Sequence, residues 1–181
     1  MKIFQFAADF ERFKFLTFAL DSPESKRVRA FRGQPLSSDW SALHMVLFHG
    51  KTKAERARSD DFDVSCFDPR LLLCRQSAAL AIERVAPGKV ELLPIETDIG
   101  PFSFVNVTHT VPAVDLRGLD EEQEMEMLRC GNIRFDASVV RGETIFRDAA
   151  IHEVFVTETF ISELTGVSLR GARFEQVGKV T

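Results

Sequence analysis

The chain of 181 residues contains no tyrosine and only three cysteines, although it has 17 phenylalanines. Phenylalanine fills a hydrophobic core but cannot donate a hydrogen bond, so these rings contribute to packing rather than to acid–base chemistry. Without tyrosine, the chain lacks one common general acid and one residue type that often dominates binding interfaces. The composition therefore argues against an active site rich in polar groups.

The cysteines are Cys66, Cys74 and Cys130. Their odd number and the absence of a CxxC spacing argue against a disulfide framework and against a zinc knuckle. Cys66 and Cys74 lie on or beside the start of a predicted helix, where the pKa of a thiol can fall. The favoured interpretation is still three reduced thiols that act as small hydrophobic residues in a cytosolic protein.

Long hydrophobic runs are also missing. The first ten residues lack the apolar core of a signal peptide, and Asp9 and Glu11 introduce acidic charge early. No apolar run approaches the roughly 18 residues needed to span a bilayer. The net charge of −4 is too small for a general nucleic-acid-binding protein. We expect a soluble, cytoplasmic protein that binds neither membranes nor nucleic acids.

The recognised motifs of catalysis are absent as well. The sequence has no phosphate-binding glycine loop, no GxSxG elbow and no zinc-protease helix, and His109 and His152 are isolated along the chain. These absences predict no catalytic residue, no metal and no cofactor. One alternative stays open: a hydrolase whose site forms when folding brings His109 or His152 next to a carboxylate in a polar pocket.

Many short strand patterns run along the chain, and the βαβ alternation of a doubly wound sheet is absent. The sequence therefore predicts an α+β fold with a largely antiparallel sheet, one principal amphipathic helix and short extra helices, among them segments near 120–130 and 157–164. Strands are predicted at 3–6, 29–31, 43–48, 63–67, 90–95, 102–107, 133–135, 138–140, 151–156 and 172–177. The Gly100-Pro101 pair is a turn signal, and it predicts a hairpin between the runs at 90–95 and 102–107.

The principal helix is predicted at about 69–86. Asp68 can cap it, Pro69 suits the first helical position, and Gly88 can end it. Apolar residues between these points recur at helical spacing, namely Leu71, Leu72, Ala78, Ala79, Ile82 and Val85. The length fits one domain spanning 1–181, with a small N-terminal lobe at 1–50 and a charged connector at 51–62 as the alternative.

An acidic run at 120–126 holds five carboxylates in seven residues. It is either a solubilising helix face or a surface that pairs with a basic partner and steers its approach electrostatically. If the second interpretation holds, the partner-binding residues are Asp120, Glu121, Glu122, Glu124 and Glu126. The oligomeric state is left open, with a homodimer as one alternative.

Several short motifs occur in an order that resembles a known family. The segments are Arg32–Trp40, Asp61–Ser65, Glu91–Ile95, Phe104–Val107, Ala113–Asp115, Ile145–Arg147, Ile151–Phe160 and Leu164–Val177. Together they resemble the Imm11 family of bacterial immunity proteins, over about residues 30–178. Each motif is short, so the order and spacing carry the resemblance.

The resemblance implies a non-enzymatic role in a polymorphic toxin system. An immunity protein binds a cognate toxin and keeps it inactive. The family has no established catalytic residues to carry over to this sequence, and its cognate toxins vary in activity. The expected partner is therefore a protein toxin of unspecified chemistry. A regulatory binding module whose partner is not a toxin stays open as an alternative.

Overall fold

A computed structural model describes residues 1–18, 23–29, 31–68 and 71–180 of the chain. These residues form strands and helices in an α+β arrangement, which confirms the predicted fold class. The strands are β1 (Lys2–Ala8), β2 (Leu16–Thr17), β3 (Leu43–Leu47), β4 (Val64–Asp68), β5 (Leu71–Arg75), β6 (Val90–Thr97), β7 (Phe102–Val107), β8 (Thr110–Val111), β9 (Ile133–Phe135), β10 (Ile145–Asp148), β11 (Val154–Thr157) and β12 (Ala172–Val180). The helices are α1 (Pro23–Arg29), α2 (Lys53–Arg56), α3 (Gln76–Val85), α4 (Glu121–Arg129), α5 (Ala137–Val140) and α6 (Glu158–Glu163). Every helix in this part of the chain is too short or too polar to cross a bilayer.

The strands form two mixed sheets of six strands each. The first sheet has the order β8-β10-β11-β1-β12-β9, and the second has the order β2-β3-β6-β7-β5-β4. Most pairings are antiparallel; the exceptions among the described pairings are β8 with β10, β9 with β12, and β3 with β6. The predicted hairpin is confirmed, because β6 and β7 pair antiparallel with Leu93 opposite Phe104.

Residues 1–50 are divided between the two sheets. Strand β1 lies inside the first sheet, between β11 and β12, whereas β2 and β3 belong to the second sheet. The suggested lobe at 1–50 thus has no counterpart in the strand pairing. The suggested connector at 51–62 contains the short helix α2, whose N-terminus is closed by a capping box between Thr52 and Glu55.

The second sheet is buried on both faces. Along β7, Phe102 and Phe104 face one hydrophobic core, while Val105 and Val107 face another. This follows from strand geometry, because successive side chains point to opposite faces. The core around Val105 and Val107 also holds apolar residues of the first sheet, α3 and α6, so it joins the two sheets.

The predicted start of the principal helix is wrong. Residues 71–75 form strand β5, and α3 begins only at Gln76; residues 69 and 70 lie outside the described part of the chain. The leucines alternate between two cores: Leu71 and Leu73 face one, Leu72 and Cys74 the other. A continuous apolar run buried on both faces is typical of a central strand, but its periodicity alone does not distinguish it from a buried helix.

Two other predicted strands are wrong. The described residues of 29–31 include Arg29, which ends helix α1, and Phe31, which lies outside any strand. The segment 138–140 belongs to α5, because the side chain of Asp136 accepts a hydrogen bond from the backbone N–H of Ser138 and caps a helical turn. The predicted strand at 151–156 starts later than expected, at Val154, since 149–152 form the turn after β10.

The side chain of Arg147 lies between the two sheets and forms hydrogen bonds with the backbone of both. Its side chain is completely buried (0% exposed). Nε donates a hydrogen bond of 3.1 Å to the carbonyl of Val107, the last residue of β7, and Nη1 donates one of 2.8 Å to the carbonyl of His152. His152 lies between β10 and β11 in the first sheet, with φ of 61°. One guanidinium group therefore binds backbone from both sheets.

The loop at Gly33 packs against this guanidinium group. Gly33 has φ of +95°, and a Cβ atom there would lie 3.1 Å from Cδ of Arg147 and 2.8 Å from Oγ1 of Thr110. Only glycine satisfies both the backbone conformation and the close approach. The glycine of the Arg32–Trp40 motif is thus explained by packing against a buried arginine.

Replacement of Arg147 tests whether this group holds the sheets together. We expect Arg147→Ala to lower the free energy of unfolding by about 3–5 kcal/mol, because two buried carbonyls lose their donor and a cavity remains. Urea denaturation measures this loss. The exposed Arg173, which only pairs with Glu175 at 3.6 Å, is the matched control, and Arg173→Ala should change stability little. Equal stabilities for the two variants would contradict this role.

Candidate functional site

Helix α4 carries the acidic run that the sequence singled out. Its first turn is closed by a capping box: Asp120 accepts a hydrogen bond of 2.9 Å from the N–H of Gln123, and the Gln123 side chain accepts one of 3.1 Å from the N–H of Asp120. Carboxylates in the first turn also interact favourably with the positive end of the helix dipole. The acidic residues therefore stabilise the start of the helix that presents them.

Only one side of α4 contacts the hydrophobic core. Met127 and Leu128 pack, partly buried, against the cluster that includes Ile133, Phe135 and Phe146 on the outer face of the first sheet. None of the residues of α4 itself is fully buried. The helix therefore lies on the surface of the sheet and leaves its other side exposed to solvent.

The outer side of α4 combines negative charge with an exposed apolar side chain. Met125 is 67% exposed, and Glu121 and Glu122 precede it by four and three residues, so the three side chains share one side of the helix. Within the described residues, Glu121, Glu122 and Glu124 make no hydrogen bond or ion pair through their side chains. Glu124 is only half-exposed and lies on the side of Met127 and Leu128, so we call Glu121, Glu122 and Met125 the acidic face.

The two remaining candidates are already engaged. Asp120 forms the cap, and Glu126 forms an ion pair with Arg129 and accepts a hydrogen bond of 3.0 Å from the thiol of Cys130. That hydrogen bond raises the pKa of Cys130, so the thiol stays protonated. Of the five carboxylates predicted as partner-binding residues, Glu121, Glu122 and Glu124 are thus available to a partner.

A surface groove of about 400 Å³ lies next to the helix. Met127 and Leu119 supply apolar walls, and Arg134 lies in the lining with its Nε buried and without a hydrogen-bond partner. Other lining residues are Glu126, Cys130 and Asn132. The groove extends the surface beside the acidic face towards β9.

Buried and half-buried carboxylates outside α4 stabilise the fold by accepting hydrogen bonds. Asp148 accepts hydrogen bonds from the backbone N–H groups of Ala113, Val114, Ala150 and Ile151. Asp63 binds Ser168 and Arg170, and Glu91 accepts from the N–H groups of Leu36 and Ser37. Burial opposes ionisation of Asp63 and Glu91, but these hydrogen bonds outweigh it and lower the pKa of both. The Glu91 contacts hold the Arg32–Trp40 motif against the second sheet.

The structure brings His109 next to a carboxylate, as the alternative hydrolase hypothesis requires. Nε2 of His109 lies 3.0 Å from Oε1 of Glu143, whose other oxygen pairs with Lys89. The N–H direction of the imidazole does not meet the requirements of a hydrogen bond, and Nε2 is buried. Neither His109 nor Glu143 lines the groove beside α4. The contact lies where the two sheets meet, since Lys89 precedes β6 and Glu143 precedes β10.

The other sequence candidates are dispersed. His152 sits in the turn after β10, where its carbonyl binds Arg147 and its Nδ1 is buried without a hydrogen-bond partner. Cys74 is buried in the core, whereas Cys130 is exposed. The side chain of Cys66 lies outside the described part of the chain. Among the described residues, no three metal-binding side chains converge.

Sequence reasoning missed the two partners of His109. Lys89 and Glu143 are 54 residues apart along the chain and meet only because β6 and β10 belong to sheets that pack together. It also missed Met125 as part of the surface. Here a signal was present, since Met125 is flanked on both sides by glutamate, which is unusual for a residue of a hydrophobic core.

The cluster of Glu143 predicts a dependence of stability on pH. Burial opposes ionisation of Glu143, but the hydrogen bond from Lys89 and the close contact with His109 outweigh it and lower the pKa of Glu143 below the ordinary 4.5. Its stabilisation is therefore present above that value and is lost as the pH falls through the lowered pKa. We expect Glu143→Gln to cost about 1–2 kcal/mol at pH 7 and progressively less towards pH 3, by urea denaturation.

The control for this variant is Glu163→Gln, at an exposed position of α6. It should leave the stability close to that of the unchanged protein at both pH values. A constant difference between Glu143→Gln and the unchanged protein across this range would contradict the ionic role of Glu143.

Comparisons with known proteins add no family assignment. No model of a known protein family matches the chain, and no curated protein matches it. The function must therefore be argued from the residues described above, and chiefly from the outer side of α4.

Proposed function

We propose that this chain is a non-enzymatic immunity protein of the Imm11 type, which binds and neutralises a cognate protein toxin in the bacterial cytoplasm. The observation that carries the proposal is the acidic face of α4. Glu121 and Glu122 share one exposed side of the helix with Met125, which is 67% exposed, and their carboxylates have no partner within the described part of the chain. The resemblance of the ordered motifs to that family supports the same conclusion.

The chemistry of this face favours a basic protein partner. Free carboxylates attract and orient a positively charged surface, which raises the rate of association. Met125 adds a flexible apolar side chain that can adapt to a pocket on the partner. A basic surface that carries a small apolar pocket would match this combination of charge and one apolar side chain.

Helix α4 is too small to form the whole interface. Nine residues give a helix about 13 Å long, whereas a stable interface buries roughly 800 Å² on each partner and uses about 20–30 residues. The groove lined by Leu119 and Asn132 lies next to the helix and extends the available surface. We therefore place α4 at the centre of the interface and the groove at its margin.

A rescue experiment in cells tests the proposal. The adjacent open reading frame is expressed alone and together with this chain, and surviving cells are counted. The double variant Glu121→Lys/Glu122→Lys should lose protection, because both charges at the centre of the face are reversed. In vitro, the dissociation constant should rise at least about ten-fold.

The matched control is Glu83→Lys/Glu163→Lys. It produces the same change in net charge at exposed positions of α3 and α6 and should protect fully. Protection by Glu121→Lys/Glu122→Lys equal to that of the unchanged chain would exclude the acidic face as the binding surface. A neighbouring product that is harmless in both the cytoplasm and the periplasm would remove the main support for an immunity function.

The contact of His109 with Glu143 favours a second candidate, a hydrolase that destroys the toxin or its product. This candidate predicts that His109→Gln abolishes protection without weakening binding. The binding account predicts full protection by the same variant. The rescue experiment thus separates the two functions.

A further inference from the structure

The methionines of this chain differ strongly in their exposure. Met45 is completely buried (0% exposed), and Met127 is partly buried against the core beneath α4. Met125 is 67% exposed, and Met1 is 48% exposed. Oxidation of a thioether requires access of the oxidant to sulfur, so Met125 is the most accessible sulfur atom of α4.

The neighbouring thiol is protected from the same oxidants. Peroxides react with the thiolate form of cysteine, and the hydrogen bond from Cys130 to Glu126 raises the pKa of that thiol. Cys130 is exposed but is kept in its less reactive protonated form. The hydrogen bond therefore slows the oxidation of Cys130 but does not affect that of Met125.

We propose that Met125 is an oxidation-sensitive contact of the acidic face, and that its conversion to the sulfoxide weakens binding of the partner. Hydrogen peroxide transfers one oxygen atom to the thioether sulfur; the sulfur loses two electrons, the O–O bond breaks, and water is released. The product is a polar sulfoxide, which is reversible by methionine sulfoxide reductases. The effect on binding rests on the function proposed above, whereas the selectivity of oxidation does not.

The loss of affinity follows from the position of Met125. Met125 lies on the same exposed side of α4 as Glu121 and Glu122, which we place at the centre of the interface. A sulfoxide at this point must lose its hydration on binding, and the apolar contact of the thioether is lost. We expect the dissociation constant to rise about ten-fold.

The test begins with the folded full-length chain alone. It is treated with limiting hydrogen peroxide, digested, and analysed by mass spectrometry for the gain of one oxygen atom per methionine. Met125 should be oxidised several-fold faster than Met127 and Met45. Oxidation of Met127 as fast as that of Met125 would overturn the inference, whatever the partner does.

The second stage uses the partner, the product of the adjacent open reading frame. Oxidised protein should bind about ten-fold more weakly, and treatment with a methionine sulfoxide reductase should restore binding. The affinity of Met125→Leu, whatever its value before treatment, should stay the same after peroxide. Equal loss of binding in oxidised Met125→Leu would overturn the inference. Absence of binding by the untreated chain would instead refute the proposed function and leave the selectivity result standing.

Discussion

The burial of one positive charge between two sheets is the constraint on which this fold depends. A guanidinium group removed from water must have its donors satisfied, and Arg147 meets this requirement with backbone carbonyls from β7 and from the turn before β11. Several features follow from that one contact. Gly33 must be glycine so that its loop can approach the arginine, and His152 adopts a left-handed backbone conformation in the turn whose carbonyl Arg147 binds. The carboxylate of the neighbouring Asp148 stabilises the same turn, because it accepts hydrogen bonds from the backbone N–H groups of Ala150 and Ile151.

This arrangement separates the parts of the molecule that determine the fold from the part that we assign to binding. The buried charges Arg147, Asp148 and Asp63 are bound to backbone or to other side chains, so any change at these positions affects stability. Helix α4 depends on the core only through side chains such as Met127 and Leu128 and through its own cap. Its outer residues can therefore change without disturbing the junction of the sheets. A protein that must match a variable partner benefits from such a separation.

The sequence predicted well those elements whose signal is local. The hairpin of β6 and β7 follows from alternation and a glycine-proline turn, and α4 follows from a capping residue and an acidic first turn. The prediction of secondary structure failed where tertiary burial overrides the local pattern. In strand Leu71–Arg75, successive apolar side chains pack alternately into two different cores. The sequence also could not pair Lys89 with Glu143, since such contacts depend on how sheets pack. The sequence identified the carboxylates at 120–126. It could not show which of them cap the helix, which are paired and which are exposed, since these differences depend on the folded helix and its neighbours.

Hydrogen exchange of the chain with and without its proposed partner, the adjacent gene product, tests the central claim most directly. The adjacent gene product is purified in an inactive form, the complex is formed, and amide exchange is measured along the chain. We predict slower exchange concentrated in α4, Glu121–Arg129, and in the residues beside the groove, with little change around Arg147. Protection confined to another surface, with α4 exchanging as in the free protein, would contradict the account.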